Sequence, residues 1–228
     1  SGELAAIKLM SPTGHDKKKI PPSSIEFRVN RERFLDEAGL SLKVSSPFVI
    51  SAIDYGKDPW PWIRYPLIEG QSVAKAMQQS TDFMYTWWNL AHDLLSGLDT
   101  IHQEGILHKD IKQDNMLFSK DRFVLLDLGI GEVADYSEYS VLGSSKGTYG
   151  FMAPELCLNQ DPTFKLGYEI DVFSAGMTLL AVFDDEPWLD MRRAQLTTRD
   201  GGNTEQLTIF LSEPMSLENT PEETLKRI

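Results

Sequence analysis

The chain has 228 residues, 41% of them hydrophobic and 25% charged, and its 22 Lys+Arg against 34 Asp+Glu leave a formal charge of −12. That composition can bury a core, and it lacks both the low hydrophobicity of a disordered chain and the Gly/Pro bias of a fibrous one. The acidic balance argues against nucleic acid and anionic membranes as partners, because both repel excess negative charge, and leaves cations open.

Leu4 to Met10 is a short apolar run broken by Lys8, which reads as a buried strand carrying one functional or paired charge. Asp16 to Ser24 is a loop, with a lysine run ahead of Pro21-Pro22-Ser23-Ser24. From Asn30 to Val44, Phe34, Leu35, Ala38 and Leu42 recur at helical spacing with Asn30 as the cap. Phe48 to Tyr55 and Trp62 to Ile68 read as antiparallel strands joined by a turn at Gly56-Lys57-Asp58-Pro59. Phe83 to His102 is a long helix with Trp87, Leu90, Ala91, Leu94, Leu95, Leu98 and Ile101 on its buried stripe, and it stops at Gly105. Asn115 to Phe118 and Phe123 to Leu126 form a strand pair turning at Ser119-Lys120-Asp121, followed by an irregular stretch from Gly129 to Gly150. Val172 to Phe183 and Thr220 to Ile228 are further helices. A chain that opens inside a strand and closes in a helix's first turns is expected to be a piece of a longer one. Cys157 is the only cysteine, so no internal disulfide can form, and a reducing, cytoplasmic setting is expected. No stretch has the roughly 18 apolar residues of a membrane helix, so no membrane contact is expected from this segment, although an anchor could lie outside it.

The chemistry concentrates in His108-Lys109-Asp110-Ile111-Lys112-Gln113-Asp114-Asn115 and Leu125-Leu126-Asp127-Leu128-Gly129. Acids, an amide and a lysine stand at the ends of short strands. Asp and Asn supply hard oxygen ligands suited to Mg²⁺, which takes one or two protein ligands together with substrate phosphates. Asp110 is then free to orient a nucleophile.

These residues resemble the protein kinase family, specifically its serine/threonine branch. His108 to Asn115 is similar to the catalytic loop H-R-D-L-K-x-x-N with Lys109 for Arg, and Asp127-Leu128-Gly129 to D-F-G with Leu for Phe. Ala153-Pro154-Glu155 matches A-P-E, Ala5-Ala6-Ile7-Lys8 matches V-A-I-K, Glu37 stands where the glutamate of the small-lobe helix is expected, and Asp171 to Gly176 resembles D-x-W-S-x-G. The matches keep the family's order from residue 4 to about 190.

The resemblance implies an α+β, bilobal fold, with a partial small antiparallel lobe over 1–65 and a mainly helical lobe over 66–228. It also implies that the glycine-rich loop and the last large-lobe helices lie outside the chain. It implies ATP-dependent, Mg²⁺-dependent phosphoryl transfer to serine or threonine hydroxyls of a protein substrate. Lys8 would hold the α/β-phosphates with Glu37 aiming it. Asn115 and Asp127 would bind Mg²⁺, Asp110 would accept the hydroxyl proton, and Lys112 would neutralise the γ-phosphate. Tyr65 would guard the back of the adenine pocket, the backbone from Pro66 to Ile68 would meet the adenine edge, and Ala6 and Leu117 would sandwich the ring. His108 and Asp171 would be structural, Asp171 capping its helix and tying down the catalytic loop. Trp60, Trp62, Trp87, Trp88 and Trp188 are expected to pack in the core or an interface. Lysine at 109 cannot offer the planar fork of arginine, which weakens the expectation of control by phosphorylation at Ser137, Ser140, Ser144 or Ser145. Two alternatives remain: a pseudokinase scaffold that binds nucleotide, and a kinase-like phosphotransferase for small molecules.

Overall fold

The computed structural model describes residues 4–11, 19–128, 132–133, 149–153 and 167–183. Strands β1 (Ala5–Leu9), β2 (Asp54–Gly56) and β3 (Trp62–Pro66) form an antiparallel sheet in the order β1-β3-β2. Directly opposed residues of antiparallel strands share a face. The register Ala6↔Tyr65 and Lys8↔Ile63 therefore places Ala6, itself exposed, and the half-buried Lys8 on the face that carries the buried Ile63 and Tyr65. Ile7 and Leu9 fall on the other side with Arg64 and Trp62 and are 62% and 63% exposed. The expectation of a buried strand is thus corrected. Among the described residues β1 is an edge strand, and its larger apolar side chains face outward.

Helix α1 (Ile25–Lys43) begins earlier than the expected Asn30, because Ser24 Oγ accepts the Phe27 amide at 3.0 Å and supplies the cap. Asn30 lies inside the helix. α1 joins two apolar clusters. Phe27, Phe34 and Ala38 pack with Met10, Ile20, Ile63 and Tyr65 against the sheet, whereas Leu40 enters the larger core with Val44 and Val49. Leu42, which falls between those faces, is exposed.

The larger core is organised by α3 (Phe83–Gln103), capped by Asp82, whose side chain accepts the Tyr85 amide. Leu90, Ala91, Leu94, Leu98 and Ile101 are buried along it, but Leu95 is 48% exposed and leaves the expected stripe. Helix α3 ends before Gly105, whose φ of 73° suits the left-handed conformation that terminates a helix. β4 (Gln71–Ser72) runs into α2 (Val73–Gln79) and pairs with β6 (Met116–Ser119), which forms a hairpin with β7 (Arg122–Leu125). Positive φ at both Lys120 and Asp121 makes the two-residue turn that matches strand twist. β5 (Ile106–Leu107) pairs with β8 (Glu132–Val133), and α4 (Glu169–Ala181) packs on α3.

The strand expected from Phe48 is confined to β2. Phe48–Ile50 instead lies along β7, where Leu125 N donates to Phe48 O at 2.8 Å and Ile50 N donates to Leu125 O at 2.9 Å. Gly97 of α3 allows this close layering, since a Cβ there would meet Val49 Cγ2 at 3.1 Å and Phe48 O at 3.2 Å. Of the tryptophans, Trp60 Nε1 donates to Met10 O and Trp87 Nε1 to Leu179 O, whereas Trp88 is 62% exposed and only leans edge-on against Trp87. Trp188, Cys157, the helix expected at 220–228 and most of the irregular stretch 129–150 lie outside the described residues. The architecture is α+β: a small antiparallel sheet with one helix, followed by a mainly helical portion.

Leu94 and Leu95 test the core directly. Leu94→Ala is expected to cost about 2–5 kcal/mol in urea unfolding, and Leu95→Ala less than about 0.5 kcal/mol. Equal losses would refute this placement of α3.

Candidate active site

The first turn of α4 buries the Asp171 carboxylate completely. Its Oδ2 accepts the His108 amide at 2.8 Å and His102 Nε2 at 3.0 Å, and its Oδ1 accepts the Lys109 amide at 2.8 Å. A buried charge of this kind is tolerable because donors surround it. Asp171 does not cap its helix, since Tyr168 occupies the cap position without a side-chain bond. The tie to the loop backbone holds Lys109 at a φ of 67°, an uncommon conformation for a residue other than glycine. Burial pushes the Lys109 ammonium down to about 8, against the opposing pull of Asp171.

His108 is wholly buried, donates through Nε2 to Leu126 O at 3.2 Å and accepts the Asp110 amide on Nδ1 at 3.3 Å. Burial pushes its imidazole below the ordinary histidine range despite Asp171 nearby. The neutral ring thereby ties the loop to the segment ahead of Asp127. Asp110 follows, with Lys112 Nζ at 2.8 Å and Asn115 Nδ2 at 3.0 Å on its Oδ2. Asn115 Nδ2 also donates to Asp110 O at 2.7 Å. A 3₁₀ turn over Gln113–Asn115 places the amide there, and Leu126 N donates to Asn115 O at 2.7 Å, closing the open end of the β6–β7 hairpin.

Asp127, at a φ of 58°, meets Lys8 from β1. Lys8 Nζ lies 2.6 Å from Asp127 Oδ1 and 2.7 Å from Glu37 Oε1. Burial lowers the Lys8 ammonium, but the two carboxylates outweigh it and leave it raised. Burial also leaves the Glu37 carboxyl raised, although Lys8 pulls it down. Tyr65 OH donates to Glu37 Oε1 at 3.2 Å and stands 3.3 Å from Ser41 Oγ, and burial pushes the phenol upward.

Lys8, Glu37, Asp127 and Tyr65 thus form one cluster, and Asp110, Lys112 and Asn115 another, joined through Leu126. Ala6 and Pro66 attach to the first through the sheet register, opposite Tyr65 and Ala5. Ile68 is half-buried between β3 and β4, and Leu117 lies in β6 opposite Val124. The donor set fits a hard cation. The two bonds of the Asn115 side chain both use Nδ2 and not its oxygen, and the Asp127 side chain is 49% exposed. No group of three or more His, Cys, Asp or Glu gathers for a metal among the described residues, so a cation here would need phosphate or water oxygens as well. An open groove of about 580 Å³, lined by Phe48, His92 and Leu95 among others, lies between the Ser45–Phe48 segment and α3.

Three contributors are not among the residues singled out from the sequence. His102 reaches Asp171 across 69 residues, and Asp93 reaches Phe123 across 30, so only tertiary structure reveals them. Ser41 was legible in principle, because it stands four residues after Glu37 on one helix face. Pro154, Glu155, Gly129 and the serines from 137 to 145 lie outside the described residues.

The depressed His108 has a consequence for stability. The unfolded chain takes up the proton first, so the contribution is complete above about pH 6.5 and is lost as pH falls below it. Urea unfolding is expected to show the chain less stable at about pH 5.5 than at about pH 7.5, with a flatter acid limb in His108→Gln. An identical slope in the variant would remove His108 as the cause.

A protein kinase domain model matches residues 1–226. Serine/threonine-protein kinase PknH of Mycobacterium bovis is 31% identical over 156 residues, covering 66% of this chain and 25% of the relative. PknD of Mycobacterium tuberculosis is 26% identical over 179 residues, covering 77% and 25%. The calcium/calmodulin-dependent protein kinase kinase of Caenorhabditis elegans is 29% identical over 190 residues, covering 78% and 34%. The chain spans about a quarter of the length of the first two of these curated relatives. With the family model matched along nearly its whole length, the chain belongs to the protein kinase family.

Proposed function

We propose that this chain catalyses ATP-dependent transfer of phosphate to serine or threonine hydroxyls of protein substrates. The observation that carries the reading is the pair of linked clusters, Lys8–Glu37–Asp127 and Lys112–Asp110–Asn115, joined through the Leu126 amide. Phosphoryl transfer needs little covalent chemistry from a protein and depends on positioning and charge. Lys8, aimed by Glu37, holds the α/β-phosphates, and Lys112 lies beside Asp110 where it can meet the γ-phosphate. Asp110, its carboxylate oriented by Lys112 and Asn115, takes the proton of the substrate hydroxyl. Asn115 and Asp127 would hold Mg²⁺, which when bound would neutralise charge on the phosphate oxygens. Tyr65, tied to Glu37, closes the rear of the nucleotide site, with Ala6 and Leu117 against the base and Pro66 to Ile68 along its edge. The same reading divides the chain near Tyr65 into 1–65 and 66–228, consistent with the two apolar clusters that α1 bridges.

The names of PknH and PknD, both serine/threonine-protein kinases, support a protein substrate with serine or threonine acceptors. No helix among the described residues is long and apolar enough to cross a membrane.

Transfer of labelled phosphate to a generic protein substrate, with Mg²⁺ and in the full-length protein, tests the proposal. Asp110→Asn is expected to lower kcat by about 10²- to 10⁴-fold, the range of a general base. Undiminished activity in that variant would refute the mechanism, and phosphorylation of a small metabolite with no protein labelled would refute the substrate class.

A further inference from the structure

Asp93 is a buried carboxylate that the mechanism above does not use. It lies on α3 among Leu90, Ala91, Leu94 and Leu98, and only 6% of it is exposed. An ionised group in that position must be met by donors. Its Oδ2 accepts the Phe123 amide at 2.7 Å, and its Oδ1 stands 2.9 Å from Nδ1 of the exposed His92. Phe123 has no exposed surface, so without Asp93 its N–H would stay buried with no acceptor given by the hairpin's own ladder on that edge.

The place of that bond matters. One edge of β7 is paired with β6. On its other edge, Leu125 exchanges two backbone hydrogen bonds with Phe48 and Ile50, and Asp93 does the same service for Phe123 two residues earlier. A side chain of α3 thus extends the row that Phe48–Ile50 begins. The hairpin held in this way carries Asn115 immediately before β6 and Asp127 two residues after β7, with Leu126 N bonded to Asn115 O between them. The seating of the hairpin on α3 therefore fixes both ends at once.

We propose that Asp93 is a positioning residue: by holding the Phe123 amide it sets the spacing of Asn115 and Asp127, and with it the affinity for a divalent cation. The role of the cation rests on the kinase reading; the tether itself does not. In the full-length protein, Asp93→Val is expected to raise the Mg²⁺ concentration for half-maximal transfer roughly tenfold, the scale on which outer partners of metal ligands act, with KM for the protein substrate unchanged. Asp93→Asn, which keeps a carbonyl acceptor for Phe123, is expected to stay within about twofold of wild type. Amide hydrogen exchange without nucleotide or metal provides the second readout. Asp93→Val is expected to accelerate exchange at Phe123 and also at Leu126, at the far end of the hairpin. If Asp93→Val does not fold, Asp93→Gln, which moves the acceptor outward by one methylene, is expected to change both readouts in the same direction. Acceleration at Phe123 alone, or an unchanged Mg²⁺ requirement in Asp93→Val when the wild-type chain does transfer phosphate, would overturn the proposal. A wild-type chain that transfers nothing would overturn the kinase reading, while exchange at Leu126 would still decide the tether.

Discussion

A carboxylate with no access to water lies at the base of this site. Asp171 is tolerated in the core because the backbone amides of His108 and Lys109 and the His102 ring point at it. The dependence runs both ways. The loop could not keep two consecutive amides turned inward, with Lys109 in the left-handed region, unless a buried acceptor held them there. From that anchor the hydrogen bonds continue outward through His108 to Leu126 and Asp110, through Asp110 to Lys112 and Asn115, and through the hairpin to Asp127 and Lys8. Each polar group in the series is oriented by the one before it. Preorganisation of this kind is what a reaction governed by positioning requires.

Helix α1 extends the same logic to the sheet. Its apolar residues serve two clusters, Phe27, Phe34 and Ala38 on one side and Leu40 on the other. Glu37 and Ser41 are buried polar residues on that helix, and they are satisfied by Lys8 and Tyr65. Glu37 thereby meets Lys8 of β1 and Tyr65 of β3 on the same helix whose Leu40 enters the larger core. Lys8 accordingly joins three separate parts of the chain: β1, α1 and the start of the stretch after Leu126.

The β6–β7 hairpin is the other shared element. Its two-residue turn at Lys120 and Asp121 sets the register, and its open end presents Asn115 and Asp127. Three neighbours seat it: β4 on one edge, and Phe48–Ile50 and Asp93 on the other. Residues far from any phosphate thus share in deciding where the oxygen donors stand.

The long helix over Phe83–Gln103, the hairpin and the identity of the polar residues near 108–115 and 127 were legible in the chain, because 3.6-residue periodicity, turn residues and hydrogen-bonding chemistry are local properties. Local pattern misplaced the start of α1 at Asn30, since Ser24 wins the cap by accepting the Phe27 amide, and it placed Leu4 to Met10 in the interior although Ile7 and Leu9 face outward. It also made one strand of Phe48 to Tyr55, because nothing local reveals that Phe48 and Ile50 would bond to Leu125, some 75 residues away. The sequence by itself determined which chemical groups the site contains and the helices and turns that carry them. Tertiary structure alone decided which of those groups meet, because the contacts from Lys8 to Asp127, His102 to Asp171 and Asp93 to Phe123 link distant parts of the chain, and no periodicity records such a pairing.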